Sequence, residues 1–411
     1  MSRRDEYEAR AGRGYSDRGR SDRTVQNPRN GAHRSQERPG NGKNRNKRRK
    51  STIGRNAAWL VVELIVIIGL VFILRNLVIP YSLMGRVKLN NVKLAESMNE
   101  GVAENKVLQG YRTIAFFGVD SRDGILMGAT ESSTTGTLSD VIMIAAINKD
   151  SGDVRLCSVY RDTFMNLQQD GQGNDVFGKV NAAYSLGGPD RAIRTLNANL
   201  DLNITDFVTV GFEGVTEVVN ALGGIEVDIQ EEAVEHLNNY QLTMAESMNM
   251  SYTPLTHGGL QTIDGLQATA YCRVRYIAGN DLARAGHQRD VLEAIFAKAK
   301  TASVGNLTAI VRDVLPLVKT SLTDGEILDM AMDITKYNLA GTGGFPQQDK
   351  LTFGMIPNNP YAGSSVIAND LAANIIWLHT FLFDNPQYQL TPDCQANSDR
   401  VYQLSAPYME F

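Results

Sequence analysis

Residues 271–290, YCRVRYIAGNDLARAGHQRD, concentrate groups able to handle an anion. Tyr271, Arg273 and Arg275 alternate with Cys272, Val274 and Tyr276. That is a strand's period, so the spacing predicts both arginines on one strand face. Gly279 and Asn280 predict a turn, and Asp281 is the expected N-cap of a helix beginning at Leu282. Arg284 and Gln288 lie four apart on that helix, with His287 beside them. A guanidinium offers a planar fork of donors to phosphate or carboxylate oxygens, so three around one strand-to-helix turn suit a multiply anionic ligand. The competing reading is a solvated charged face, or arginines paired to acids of the fold.

Two acids stand at the ends of other apolar runs. Asp120 ends 112–119 (RTIAFFGV), and Asp140 immediately precedes 141–147 (VIMIAAI). If these strands are neighbours, both carboxylates share one sheet edge, where a hard divalent cation finds ligands alongside phosphate oxygens. Two loop-capping aspartates are the alternative. Arg161 and Asp162 close the run 154–160, Arg122 follows Asp120, and Lys179 leads into a helical region. The chain has no P-loop, no H-E-x-x-H, no G-x-S-x-G and no paired C-x-x-C.

The elements that must position these residues read as alternating strands and helices. Residues 141–160 form a hairpin around the polar turn 148–153, and 166–175 read as a loop. Strand 207–212, helix 213–222 closed by Gly223-Gly224, and strand 225–229 follow. Residues 231–259 read as a polar, Met-rich excursion, and Val291, Leu292, Ile295, Phe296 and Ala299 give the next helix a core stripe. Helices at 304–319 and 324–337, a strand at 351–356 and a helix at 366–383 complete the pattern. It predicts an α/β domain, a three-layer α/β/α sandwich around a mixed central sheet, from 109 to 390. Residues 82–108 are the stalk or first helix, and 391–411 a C-terminal tail.

Charge divides the chain. Residues 1–55 hold 17 Lys/Arg against 6 Asp/Glu, and the remainder 24 against 39. The basic segment lacks apolar side chains and is expected to be a disordered tail. Without interleaved aromatics or a fold to position it, it predicts no nucleic-acid partner. Residues 57–74 are apolar except for Glu63, and 77–79 resume the run, close to the roughly 20 residues that cross a bilayer. Cations upstream hold that flank in the cytoplasm. The expectation is one transmembrane signal-anchor at 56–81, N-terminus cytoplasmic and the large domain extracellular. Cys157, Cys272 and Cys394 make no disulfide framework, although a Cys157–Cys272 bridge stays open in an exported domain.

The ordered set GVDSR, SD, VYRDT, KVNAAY, GG, LGGIEV, GLQATAYCRVRY and D-x-x-R-x-x-H-Q closely resembles the LytR-CpsA-Psr family of cell-envelope proteins over roughly 110–300. The resemblance implies an α/β/α sandwich with a groove for lipid. It also implies a phosphotransferase that moves a glycopolymer from a polyprenyl-pyrophosphate carrier to peptidoglycan, typically with magnesium (or manganese). Carried over by position, Asp120 and Asp140 would hold the metal. Arg122, Arg161, Lys179, Arg273, Arg275 and Arg284, with His287 and Gln288, would grip the pyrophosphate. Asp162 would orient an arginine or assist the incoming hydroxyl, and Asp281 would serve as general base or helix cap. The chain departs from the family at Leu138, where an arginine is common, and at His287, which makes that cation pH-dependent. A lipid-binding module without turnover, a pyrophosphatase and a transcriptional attenuator are the alternatives.

Overall fold

The computed structural model describes residues 98–119, 138–275 and 280–410. The basic tail, the expected anchor at 56–81, Asp120, Arg122 and the loop 127–137 lie outside the described residues. Among the described residues no helix is long and apolar enough to cross a membrane.

A short helix α1 (Lys106–Gln109), capped by the Asn105 side chain, leads into β1 (Tyr111–Val119). β2 (Ser139–Asn148) and β3 (Asp153–Val159) form the predicted hairpin. Asn148 closes its turn by accepting from the backbone N–H groups of Asp150 and Ser151. β4 (Phe164–Gln169) and β5 (Asp175–Lys179) make a second hairpin where the sequence suggested only a loop. Its turn hangs on Asp170, whose carboxylate accepts from Gln172 and Asn174. α2 (Ala182–Leu200) kinks at Gly187 and Gly188, the latter at φ 64°, immediately before Pro189.

β6 (Asp206–Gly211), α3 (Phe212–Ala221) and β7 (Ile225–Ile229) follow as predicted, with Gly223 and Gly224 at positive φ after the helix. The supposed excursion is instead helix α4 (Glu231–Met248), which buries Ala233, Leu237 and Met244, and then β8 (Gly259–Ile263). α5 (Gly265–Tyr271) and α6 (Asn280–Ala299) come next. α7 (Val304–Val314) stops earlier than predicted, and Lys319 lies in strand β9 (Val318–Thr320). α8 (Asp324–Met332), β10 (Asn338–Phe345), β11 (Leu351–Ile356) and β12 (Gly363–Ala368) precede α9 (Leu371–Phe383). The expected tail at 391–411 is corrected to helix α10 (Pro392–Ser405), started by Thr391 and docked through Cys394 and Val401.

The central sheet is mixed and six-stranded, in the order β10-β3-β2-β1-β6-β9. β2 runs antiparallel to both β1 and β3, while β6 is parallel to β1 and β10 to β3. Alternate residues therefore serve opposite faces. Ala115, Ile144 and Cys157 join one core with Ile193 and Leu196 of α2 and Leu378 and Leu382 of α9. Burying each such aliphatic side chain contributes about 1.5–3 kcal/mol. On the other face α3 to α6 and the β7–β8 hairpin build their own core around Ile225, Leu237, Ile263 and Tyr271. Cys157, Cys272 and Cys394 are free thiols, so the Cys157–Cys272 bridge is not formed.

Candidate functional site

One edge of the sheet gathers the charged residues. β1, β3 and β6 end there and β2 begins there, so Asp140, the Arg161-Asp162 pair and Phe212 share it. Val119, the last described residue of β1, pairs with Ser139. This confirms β1 and β2 as neighbours.

The two arginines after α5 reach this edge differently from the prediction. Residues 271–275 are not a strand. Asp264 and Gln267 form a capping box that starts α5, all seven of whose residues are buried. Cys272 donates to Ala268, Arg273 to Ala270 and Val274 to Tyr271, so the chain leaves the helix through tightening turns. Arg273 and Arg275 therefore project from a helix exit and not from one strand face. Asp281 likewise sits in the first turn of α6, inside the helix and not before it.

Asp281 is the hub of the cluster. Its carboxylate lies 3.1 Å from Arg284 Nη2, 3.8 Å from Arg161 Nη2 and 3.9 Å from Arg275 Nε. Arg161 Nη1 donates to Asp140 at 2.5 Å. Asp162 is held by Lys179 Nζ at 3.2 Å and lies 3.5 Å from Arg161 Nε. With Arg273, five cations face three carboxylates among the described residues, a local excess of positive charge. Burial opposes the charge on Arg161, but Asp162, Asp140 and Asp281 outweigh it and its pKa is raised. Arg284, with only 4% of its side chain exposed, is pushed down to about 10 by burial and by Arg161, and stays charged at neutral pH.

An apolar cavity of about 350 Å³ opens beside this cluster, between the sheet and α3, α4 and α6. Phe116, Met143, Val215, Tyr240, Val291 and Ile295 are among its walls. Gly118 is required there, since a Cβ would come within 2.6 Å of the Val141 side chain. The Arg273 guanidinium lies over the rings of Phe212 and Tyr240, at 4.6 and 5.2 Å from their centroids. A second, small cavity of about 20 Å³ shares Asp140, Arg284 and Gln288 with the large one.

The expected residues divide accordingly. Asp140, Arg161, Asp162, Arg273, Arg275, Asp281, Arg284 and Gln288 line one or both cavities. Lys179 lines neither and acts through Asp162. Gln288 donates to the Cys272 carbonyl at 3.2 Å, tying α6 to the helix exit. His287 is corrected: it is buried, stacks on Tyr271 at 4.3 Å and lines neither cavity. Burial pushes its imidazole down to about 4, so it is no cation at neutral pH. Cys272 lines the large cavity, but burial raises its thiol to about 12, which removes it as a nucleophile. Phe212, Tyr240 and Ser158 were missed. Tyr240 was hidden because its helix was read as an excursion, whereas Ser158 carried a signal as the polar residue inside an apolar strand.

A magnesium ion takes several oxygen ligands. Among the described residues no three His, Cys, Asp or Glu side chains stand close enough to hold one. Asp140 is paired with Arg161, and one or two carboxylates with water and phosphate oxygens are the usual magnesium ligands.

Comparison with known proteins gives this geometry a context. The model of the LytR_cpsA_psr family matches residues 83–343. The chain is 31% identical over 240 residues to the polyisoprenyl-teichoic acid–peptidoglycan teichoic acid transferase TagU of Enterococcus faecalis, spanning 56% of this chain and 70% of that protein. It shares its fold with TagV of Bacillus subtilis at a TM-score of 0.51 and 24% identity, over 68% of this chain and 98% of that one. Protein gbs0355 of Streptococcus agalactiae is similar at 0.53 and 22%, over 74% and 94%.

Proposed function

The chain belongs to the LytR-CpsA-Psr family, and we propose that it transfers a glycopolymer from a polyprenyl-pyrophosphate lipid to peptidoglycan, forming a phosphodiester. One observation carries this reading. Arg273, Arg275 and Arg284 line an apolar cavity of about 350 Å³, and Asp281 links Arg275 and Arg284 to Arg161 in the small cavity beside it, a shape and polarity that suit a diphosphate head with a hydrocarbon tail. The transferase name of the Enterococcus relative supports glycopolymer transfer to peptidoglycan.

In this reading Arg161, Arg275 and Arg284 take the diphosphate oxygens, and Arg273 marks the boundary with the apolar wall. The acceptor hydroxyl forms a bond to the sugar-linked phosphorus as the bond to the bridging oxygen breaks, and polyprenyl phosphate leaves. The hydroxyl proton passes to Asp281. Asp162, gripped by Lys179, supplies negative charge that holds Arg161 ionised. Such a transfer draws on positioning and charge neutralisation more than on a covalent intermediate. Asp140, with Asp120 and the ligand's phosphate oxygens, is proposed to hold the magnesium or manganese ion that would share the phosphate charge. The anchor at 56–81 would keep the domain on the outer membrane face, beside its lipid.

The test uses the full chain in liposomes, a polyprenyl-pyrophosphate glycolipid and purified peptidoglycan. Glycopolymer-bearing peptidoglycan and free polyprenyl phosphate are expected together, and only when the acceptor is present. Phosphate products without acceptor would make the chain a pyrophosphatase. Lipid retained without product would make it a carrier.

A further inference from the structure

The small cavity beside the arginines is bounded by Asp140, Ser158, Arg161, Asp162, Asp281 and Arg284, among others. Three of these residues carry a buried polar atom with no hydrogen-bond partner among the described residues: Ser158 Oγ, Arg161 Nε and Asp281 Oδ1. Asp162 lies 3.5 Å from Arg161 Nε and Arg284 lies 3.1 Å from Asp281 Oδ1, yet neither contact has the alignment of a hydrogen bond. Each uncompensated polar group would destabilise the fold appreciably. Ser158 is also out of character for its strand. Cys157 and Val159 beside it point into the closed core, whereas Ser158 bounds the cavity under α6 at 2% exposure.

One molecule resolves all three. A cavity of about 10–15 Å³ admits a water, which makes two to four hydrogen bonds, and this one measures about 20 Å³. We propose that a single ordered water fills it, accepting from Arg161 Nε, donating to Asp281 Oδ1 and bonded to Ser158 Oγ, and that Ser158 is thereby a positioning residue for the arginine cluster. Arg161 is then fixed on Nη1 by Asp140 and on Nε by the water, with Nη2 turned toward Asp281 and the ligand. Loss of the hydroxyl frees the guanidinium to swing while Arg275 and Arg284 still bind the head group. The turnover consequence rests on the transfer reading above, but the water does not.

The test has two arms on the full chain. A crystal structure at a resolution that shows solvent should contain one water within hydrogen-bond distance of all three atoms. A dry cavity, with Arg161 Nε bonded directly to Asp162, would overturn the proposal. In the transfer assay Ser158→Ala should lower kcat about tenfold and leave the lipid KM within about twofold. Ser158→Val, which fills the cavity, should cost about a hundredfold. Ser158→Gly admits a second water in place of the hydroxyl and should recover to within about threefold of the parent. An unchanged kcat in Ser158→Val, or a rise in KM in place of the fall in kcat, would sink it. If the parent chain itself transfers nothing, the function reading fails while the crystallographic arm still decides the water.

Discussion

The two faces of the central sheet are made from alternate residues of the same strands, yet they are put to opposite uses. Ala115, Ile144 and Cys157 meet α2 and α9 in a core whose members are almost all fully buried. One residue along, Phe116, Gly118 and Met143 look instead toward a space that α3, α4 and α6 leave open. Apolar surface on the first face stabilises the protein. On the second it is held in reserve, and cations rather than packing close the mouth. A period of two lets one short strand serve both purposes without compromise.

The most forceful way to break this comparison is at the charged mouth. Arg161→Ala should lower transfer by about 10²–10³-fold, the range found when a preorganised donor is removed from developing charge. It should lower the melting temperature only modestly, because what it loses are ion pairs to the partly exposed carboxylates of Asp140, Asp162 and Asp281. A large fall in melting temperature with activity retained would mean that the mouth is structural.

Next comes a matched pair of truncations. Leu378→Ala, on the closed face and fully buried, should destabilise by about 2–5 kcal/mol in chemical denaturation. Leu292→Ala, on the cavity wall, should cost no more than about 1 kcal/mol yet weaken lipid binding about tenfold. Equal stability losses would erase the distinction between the faces.

The smallest effect is a pH slope. His287 under the open face and His379 in α9 are both pushed down to about 4 by burial. Their ordinary value is 6.5. Between about 4 and 6.5 the unfolded chain binds the extra protons, so stability is present in full above 6.5 and falls as the pH drops toward 4. Each histidine contributes at most about 1.4 kcal/mol per pH unit in that window. Urea titrations of His287→Gln should show a shallower slope, and an unchanged slope would place the proton uptake elsewhere.

The sequence made much of this visible, and its failures have physical causes. The hairpin of β2 and β3, the β6–α3–β7 run and the strand-end positions of Asp140, Arg161 and Asp162 were all readable from apolar runs and their polar ends. The exit of α5 was not, because alternating residues such as 271–275 look the same after a buried helix as on a strand. Asp264 and Gln267 at capping-box spacing were the signal that could have decided it. The α10 start was equally legible in Thr391-Pro392, an N-cap followed by proline. β10 was beyond reach, since NLAGTGGF lacks the side chains of a strand. Gly344 answers tertiary crowding instead, since a Cβ there would collide with the Tyr160 hydroxyl. His287 was misjudged because its burial depends on a stacking partner that the linear pattern does not reveal.

The shared carboxylate of Asp281 has a consequence for selectivity. Arg161, Arg275 and Arg284 already own a resident counter-ion, so a stray chloride or a singly charged solute gains little by trading places with it. A ligand bearing two linked phosphates would satisfy several guanidiniums at once and release the carboxylate for the acceptor's proton. On the proposed reading the protein would screen its visitors by how many negative groups arrive together, and a competing drug would have to present that pair on one rigid frame.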